Sequence, residues 1–234
     1  MNRVVEPEWL DQLPAVDPRA VASRADLRQL NFIMGHAGIL TRIMLRQLGP
    51  HPAPPRRLQV VELGSGDGSL AVELARRWAA RGILADWTLI DQANLVSSDT
   101  RRALKDHQGT VRVITGDAFA WLERISPPVD LIYTNLFLHH FIADPLRRLL
   151  SRAAERTNLF LACEPRRSGL ALRAARCLGL IGCAPVTRHD AVVSVRAGFV
   201  DQELSQDWPQ TAGWLLHERP AGLFSHVFSA RRHD

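Results

Sequence analysis

A chain of 234 residues, 46% of them apolar, is long enough to bury a real core in one domain with an added cap. The net charge of +5 rests on arginine, since Lys105 is the single lysine among 29 basic residues; pairs such as Arg76-Arg77 and Arg147-Arg148 are scattered through helical stretches instead of forming one patch, which argues against a nucleic-acid surface. Cys163, Cys177 and Cys183 have apolar neighbours and no metal-type CxxC spacing, and no window reaches the ~18 apolar residues of a membrane span, so reduced, mostly buried thiols, no metal and a cytoplasmic location are expected, the opening MNRVVEPEWLDQLP lacking a signal peptide's apolar stretch.

In chain order, Asp17-Pro18 reads as a helix start, with cap and then proline at the first helical position. Apolar residues from Leu27 to Leu48 recur at helical spacing, with a break expected at Gly35 or Gly38. Gly49-Pro50 stops the helix, and Pro52, Pro54 and Pro55 make a linker. Residues 1–56 are therefore taken as a helical N-terminal cap and linker, and 57–234 as the main domain. Strand and helix patterns then alternate. Strands are expected at Leu58–Leu63, Trp87–Asp91, Val111–Thr115, Leu131–Thr134 and Leu159–Cys163. Helices are expected at Leu70–Arg81, Asp99–His107, Phe119–Arg124 and Asp144–Glu155. Five strands separated by helices imply an α/β fold with a doubly wound, mostly parallel sheet. Thr187 and Asp190 have capping-box spacing for a helix ending at Gly198. Trp214–Glu218 and Phe224–Ala230, joined by an Arg219–Gly222 turn, form an antiparallel hairpin that closes the sheet.

The strongest motif is Val60-Val61-Glu62-Leu63-Gly64-Ser65-Gly66-Asp67-Gly68, an acidic residue near the end of an apolar strand and then alternate glycines before a helix. Glycine is required where backbone turns tightly against a ligand. A dinucleotide site wants G-x-G-x-x-G; here the third glycine comes one residue early, and Glu62 suits a cationic ligand better than a pyrophosphate. Glu62-x-Gly64-x-Gly66-x-Gly68 resembles motif I of class I S-adenosylmethionine (SAM)-dependent methyltransferases, whose fold is Rossmann-like with an antiparallel last strand. The resemblance implies SAM as cofactor and S-adenosylhomocysteine as product. It implies that Asp91, ending the second strand, accepts both ribose hydroxyls. It also implies that Asp117 accepts from the adenine amino group while Ala118 supplies a backbone donor. The cofactor set it implies is Glu62, Gly64, Ser65, Gly66, Gly68, Asp91, Gln92, Asp117, Ala118 and Asn135, with Arg28 and Asn31 of the cap as further candidates.

The run Asp130-Leu-Ile-Tyr-Thr-Asn135-Leu-Phe-Leu-His139-His140-Phe141 is similar to the D-x-I-x-x-N-x-x-L-H-H segment of small-molecule methyltransferases, quinone-pathway members included. His140 first, and His139 second, are candidates to take a proton from the acceptor, because imidazole is a base near pH 7 without a large shift. The competing reading has one histidine packing or capping the next helix and the other facing solvent. His189 beside Asp190 is read as structural. The expected reaction is methyl transfer to a small, largely apolar acceptor, a hydroxyl oxygen of a phenol or polyketide-like compound. Carbon methylation of a quinone or polyketide ring, a non-catalytic SAM-binding module and RNA methylation are the rivals. Apolar residues dominate from Leu170 to Val186, and 170–186 with Leu30, Ile33 and Met34 is a candidate acceptor-site lid; the alternative is that these segments only pack as core.

Overall fold

Within each central strand successive residues face opposite sides of the pleat, so a strand covered on both faces must be apolar at every position. The chain obeys this rule. Leu131, Tyr133, Leu159 and Leu161 enter one core, while Ile132, Phe160 and Ala162 enter another on the opposite face. The computed structural model describes residues 1–48, 57–107, 109–126, 128–209 and 213–233. The Gly49-Pro50 stop and the proline linker lie outside the described residues.

Residues 1–48 form α1 (Trp9–Gln12), α2 (Pro18–Ile33) and α3 (His36–Leu48). Asp17 caps α2 by accepting from the Arg19 N–H, and the expected break falls at Gly35, whose φ is +70°. There follow β1 (Leu58–Leu63), α4 (Ser69–Ala79), β2 (Ala85–Asp91), α5 (Ser98–Asp106), β3 (Val111–Thr115), α6 (Ala118–Arg124), β4 (Val129–Asn135), α7 (Ala143–Arg156) and β5 (Thr157–Pro165). The last part holds α8 (Gly169–Arg176), α9 (Pro185–Ala197), α10 (Glu203–Asp207), β6 (Trp214–Ala221) and β7 (Ser225–Arg232). One seven-stranded sheet runs β3-β2-β1-β4-β5-β7-β6, parallel except for β7, which pairs antiparallel with both β5 and β6. Helices α3 and α4 cover one face, Trp78 stacking on Trp87 with ring centroids 5.2 Å apart. Helices α6, α7 and α10 cover the other around Phe160, Trp208 and Phe228.

Four expectations are corrected. Helix α3 is no appended cap: Ala37, Leu40, Ile43 and Met44 are buried in the main core. Helix α9 starts at Pro185, and Thr187 and Asp190 do not cap it. The Thr187 hydroxyl donates to Asp26 on α2, and the Asp190 carboxylate accepts from the Trp9 and Leu10 N–H groups at 2.8 and 2.9 Å. Arg219, Pro220 and Ala221 are paired residues of β6, and the turn falls at 222–224; β6 is an edge strand, where proline's missing N–H breaks no ladder. Of the three thiols only Cys163 is buried, and Cys177 is exposed.

The chain leaves β1 toward β2 and β3, and returns to place β4 on the other side of β1. Open α/β sheets bind ligands at such a reversal, beyond the carboxyl ends of the strands. The loops after β1 and β4 meet there.

Candidate functional site

A cavity of about 560 Å³ opens at this switch point. Its floor is the glycine loop and the ends of β2, β3 and β4; its roof comes from residues 8–31 and from Ser194 on α9. Gly64, Gly66 and Gly68 all have positive φ, between +54° and +74°. At Gly64 the reason is packing, since a Cβ there would lie 2.3 Å from the Phe137 ring. At Gly66 it is conformation and space: among the described residues nothing beyond its own chain neighbours lies within 4 Å of where a Cβ would be, beside the cavity that the residue lines.

Asp91 ties the loop to the next strand. Its Oδ2 accepts from the Gly66 N–H at 2.8 Å and its Oδ1 from the Ala93 N–H at 2.9 Å, leaving each oxygen a free lone-pair direction. Asp117 caps α6 through the Phe119 N–H at 3.0 Å. Glu62, Gly64, Ser65, Gly66, Asp91, Gln92, Asp117, Ala118 and Asn135 all line the cavity, and so do Arg28 and Asn31. Gly68 is set back against Leu89 and Thr100, where it begins α4. Arg28 pairs with Asp67 at 2.7 Å, and the Asn135 side-chain N–H donates to Asn31 at 3.2 Å, fastening α2 over the floor.

A family model described as a methyltransferase domain matches residues 60–158, the span of β1 to β5 that holds this floor. That match makes residues 60–158 a methyltransferase domain. The chain's fold is similar to an O-methyltransferase family protein from Burkholderia thailandensis (19% identity, TM-score 0.58), covering 94% of this chain and 61% of that one. It is also similar to the plantazolicin methyltransferase BamL (13%, TM-score 0.64, covering 94% and 93%). A third likeness is to magnesium protoporphyrin IX methyltransferase from Synechocystis (14%, TM-score 0.51, covering 95% and 91%). The chain spans about three fifths of the first of these. No curated protein matches the sequence.

The methyltransferase floor fits a ligand rich in hydrogen-bonding groups and positive charge. Ser65 Oγ, Asn135 Oδ1 and Glu62 Oε2 are buried polar atoms with no hydrogen-bond partner among the described residues, an arrangement that costs about 1–3 kcal/mol each unless something else satisfies it. Burial pushes the Glu62 carboxyl up to about 8, with Asp67 and Asp91 adding to the rise and the Tyr133 hydroxyl opposing it. Near pH 7 it is mostly protonated, and a cation beside it would draw the proton off.

The histidine pair occupies a 3-10 turn, Leu138–His140, directly after β4. Leu136 at the end of β4 has φ +52°, a left-handed conformation costing about 1–3 kcal/mol in a branched residue. The next three N–H groups, of Phe137, Leu138 and His139, converge on the Glu164 carboxylate at 2.9 to 3.4 Å. Glu164 is fully buried at the end of β5 and also takes His139 Nδ1 at 2.9 Å. The other nitrogen, Nε2, lies 3.2 Å from Glu8, which further accepts from the Ser194 hydroxyl. Burial alone would lower the His139 pKa, but its bonds to Glu164 and Glu8 outweigh that and raise it to about 9. His139 is thus an imidazolium with both nitrogens committed, and it has no lone pair to offer an acceptor near neutral pH.

His140 differs. Its side chain is 26% exposed, and Nδ1 lies 3.3 Å from Asp11 Oδ2. Burial, then the charge on His139 with ring centroids 4.3 Å away, holds its pKa below the usual value. It lines the cavity as a neutral base.

The segment 170–186 and residues Leu30, Ile33 and Met34 are absent from the lining. Helix α8 instead turns Ala171 and Ala175 onto Val195 of α9 in a small separate core, so these residues do not form a lid on this cavity. The roof is residues 8–15 with Arg24, Leu27, Arg28 and Asn31. Arg3 fastens the strap below α1, donating to the carbonyls of Ala197, His139 and Phe141. Trp9 stacks on His189 at 3.7 Å. Glu8, Asp11 and Glu164 were not singled out from sequence. For Glu164 the signal was there: a lone carboxylate ending an apolar strand, as Glu62 nearly ends β1.

Proposed function

We propose that this methyltransferase methylates a hydroxyl oxygen on a small, largely apolar acceptor, phenolic or polyketide-like, with His140 as proton acceptor and Asp11 as its positioning residue. The observation that carries the reading is the His140–Asp11 contact at 3.3 Å on the wall of the cavity whose floor is the glycine loop. A proton on Nδ1 held toward Asp11 leaves the Nε2 lone pair for the acceptor hydroxyl. Leu10, Leu13, Leu27, Phe119, Phe137 and Phe141 supply the apolar wall that such an acceptor needs. His139 acts through its fixed positive charge: it keeps its neighbour neutral and ready to accept.

SAM brings an electrophilic methyl on a sulfonium centre. Asp91 would hold the ribose hydroxyls, Asp117 and Ala118 the adenine with Gln92 beside it, and Glu62, Ser65, the three loop glycines and Asn135 the amino-acid end. Once both partners lie in one cavity, the protein's work is to align them and to remove one proton.

The test is turnover on a panel of phenolic and polyketide acceptors at saturating SAM, with product structures read by mass spectrometry and NMR. His140→Ala should keep its affinity for S-adenosylhomocysteine and lose about 10²-fold in turnover. The wild-type rate should fall as pH drops below 6.5, with Asp11→Asn moving that fall. Equal rates in wild type and His140→Ala would sink the role of His140, and a new carbon–methyl bond would sink oxygen as the acceptor atom.

A further inference from the structure

Between Glu164 and Asp190 the chain has 25 residues without one Asp or Glu, but with five arginines. Arg167 is spent inside the protein on Glu203 and on the Gly198 carbonyl. The rest of the stretch projects as α8, a 3-10 turn at Leu178–Ile181 and the start of α9. Leu170, Arg173, Arg176 and Leu180 follow one another at helical and near-helical spacing, and all are exposed. Leu180 is 87% and Ile181 64% exposed, a large aliphatic pair at the tip of a loop.

The loop is held in shape. Leu180 N–H bonds to the Cys177 carbonyl at 2.9 Å, Cys183 N–H to the Leu178 carbonyl at 3.2 Å, and Gly182 turns the chain with φ +82°. Arg188 lies against Gly179, its Nε 3.2 Å from where a Cβ would stand. Asp26, the carboxylate at the base of the loop, accepts from Ala184 N–H and the Thr187 hydroxyl, both at 2.7 Å. A rigid tip that points two aliphatic side chains into water among arginines lacks only a surface with both hydrocarbon and negative charge.

We infer that the Leu170–Arg188 projection docks the protein on an anionic lipid surface, with Leu180 and Ile181 entering the acyl boundary and Arg173, Arg176 and Arg188 meeting headgroup phosphates. Nucleic acid fits less well, because residues 166–188 contain no aromatic ring on which a base could stack. The geometry also gives docking a use. Helix α9 runs from this tip to Ser194 on the cavity wall, nine residues or about 14 Å, so the cavity lies close to the boundary where an apolar acceptor would collect. Docking itself requires no turnover, so it is tested apart from the acceptor reading.

The experiment is cosedimentation of the full chain with vesicles of phosphatidylcholine, alone or mixed with phosphatidylglycerol, at low and high salt. Binding is expected to the mixed vesicles only, weakening with salt. Arg173→Ala and Arg176→Ala should each weaken it about five-fold. The pair Leu180→Asp and Ile181→Asp should abolish it with no change in melting temperature, the side chains being exposed. Arg102→Glu, on exposed α5, should leave it nearly intact. Equal binding to both vesicle types, binding that survives the Leu180/Ile181 change, or displacement of the vesicles by polyuridylic acid would each overturn the proposal.

Discussion

The Glu8–His139–Glu164 triad makes a quantitative prediction about alkaline stability. His139 has a folded pKa of about 9 against 6.5 for an ordinary histidine. A raised pKa stabilises the fold fully below the unfolded value, and that contribution is lost as pH climbs through the folded one. The window is therefore pH 6.5 to about 9, and the gap corresponds to about 3 kcal/mol. In a chain of this size, each kcal/mol moves the midpoint by about 2–4 °C, so Tm should drop by about 6–12 °C across the window. Glu62 contributes in the same direction over an overlapping window: its carboxyl, raised to about 8, favours the fold fully below 4.5 and loses that contribution as pH climbs through 8, so it adds to the fall between pH 6.5 and 8 in wild type and variant alike. The His139→Gln variant separates the two. Glutamine can still bond to one carboxylate but carries no titrating charge, so the variant should start several degrees lower at pH 6.5 and decline much less between there and 9.5. Calorimetry at half-unit pH steps reads both curves. A wild-type Tm that stays flat over pH 6.5–9.5, or one that runs parallel to the variant's, would refute the imidazolium assignment.

The loop supports two more predictions. Asp91→Ala removes the acceptor for the Gly66 and Ala93 N–H groups as well as the proposed ribose acceptor; at about 1.5–3 kcal/mol per charged bond, SAM affinity measured by calorimetry should fall at least ten-fold, and unchanged affinity would discard that role. Gly66→Val should nearly abolish binding and lower Tm only by the strain of a β-branched residue at φ +54°, since open space surrounds the site of its Cβ, whereas Gly64→Ala should lower Tm through its clash with Phe137 as well. Affinity for SAM should also improve as pH rises toward 8, because a cationic ligand favours ionised Glu62, and Glu62→Gln should flatten that profile; a wild-type profile equally flat would refute the linkage.

The sheet was legible because its signals are local. Alternate glycines after an apolar strand, Asp91 and Asp117 at strand ends, and Asn135 ahead of the two histidines all fall where the fold brings them together. Strand β2 starts two residues earlier than read, since Ala85 and Asp86 carry little strand preference. Helices α1 and α10, with four and five residues, are too short to show a period. What sequence could not show was contact across long separations. The spacing of Thr187 and Asp190 looks like a cap because both residue types also make caps; here tertiary partners on α1 and α2 claimed them. An apolar stretch reads alike whether it roofs a cavity, packs as core or projects into solvent, and so the sequence leaves 170–186 open between lid and core. The two histidines could not be ranked by sequence either, because their difference lies in Glu8, Asp11 and Glu164, far away along the chain.

The strap of residues 1–13 lies on a surface made by residues made much later. Val4 bonds to Arg196, Trp9 to Asp190 and Arg3 to Ala197, separations of more than 180 residues that raise contact order and slow folding. On the ribosome, at 5–20 residues per second, that distance is about ten to forty seconds of synthesis. For the first two thirds or so of that time Glu8 and Asp11 have no partner, since His139 and His140 are made about 130 residues after them, and the glycine loop can be in place well before the proton-handling wall is. Capacity to bind the cofactor should therefore appear ahead of capacity for turnover as the chain matures, and the two could be timed separately during refolding.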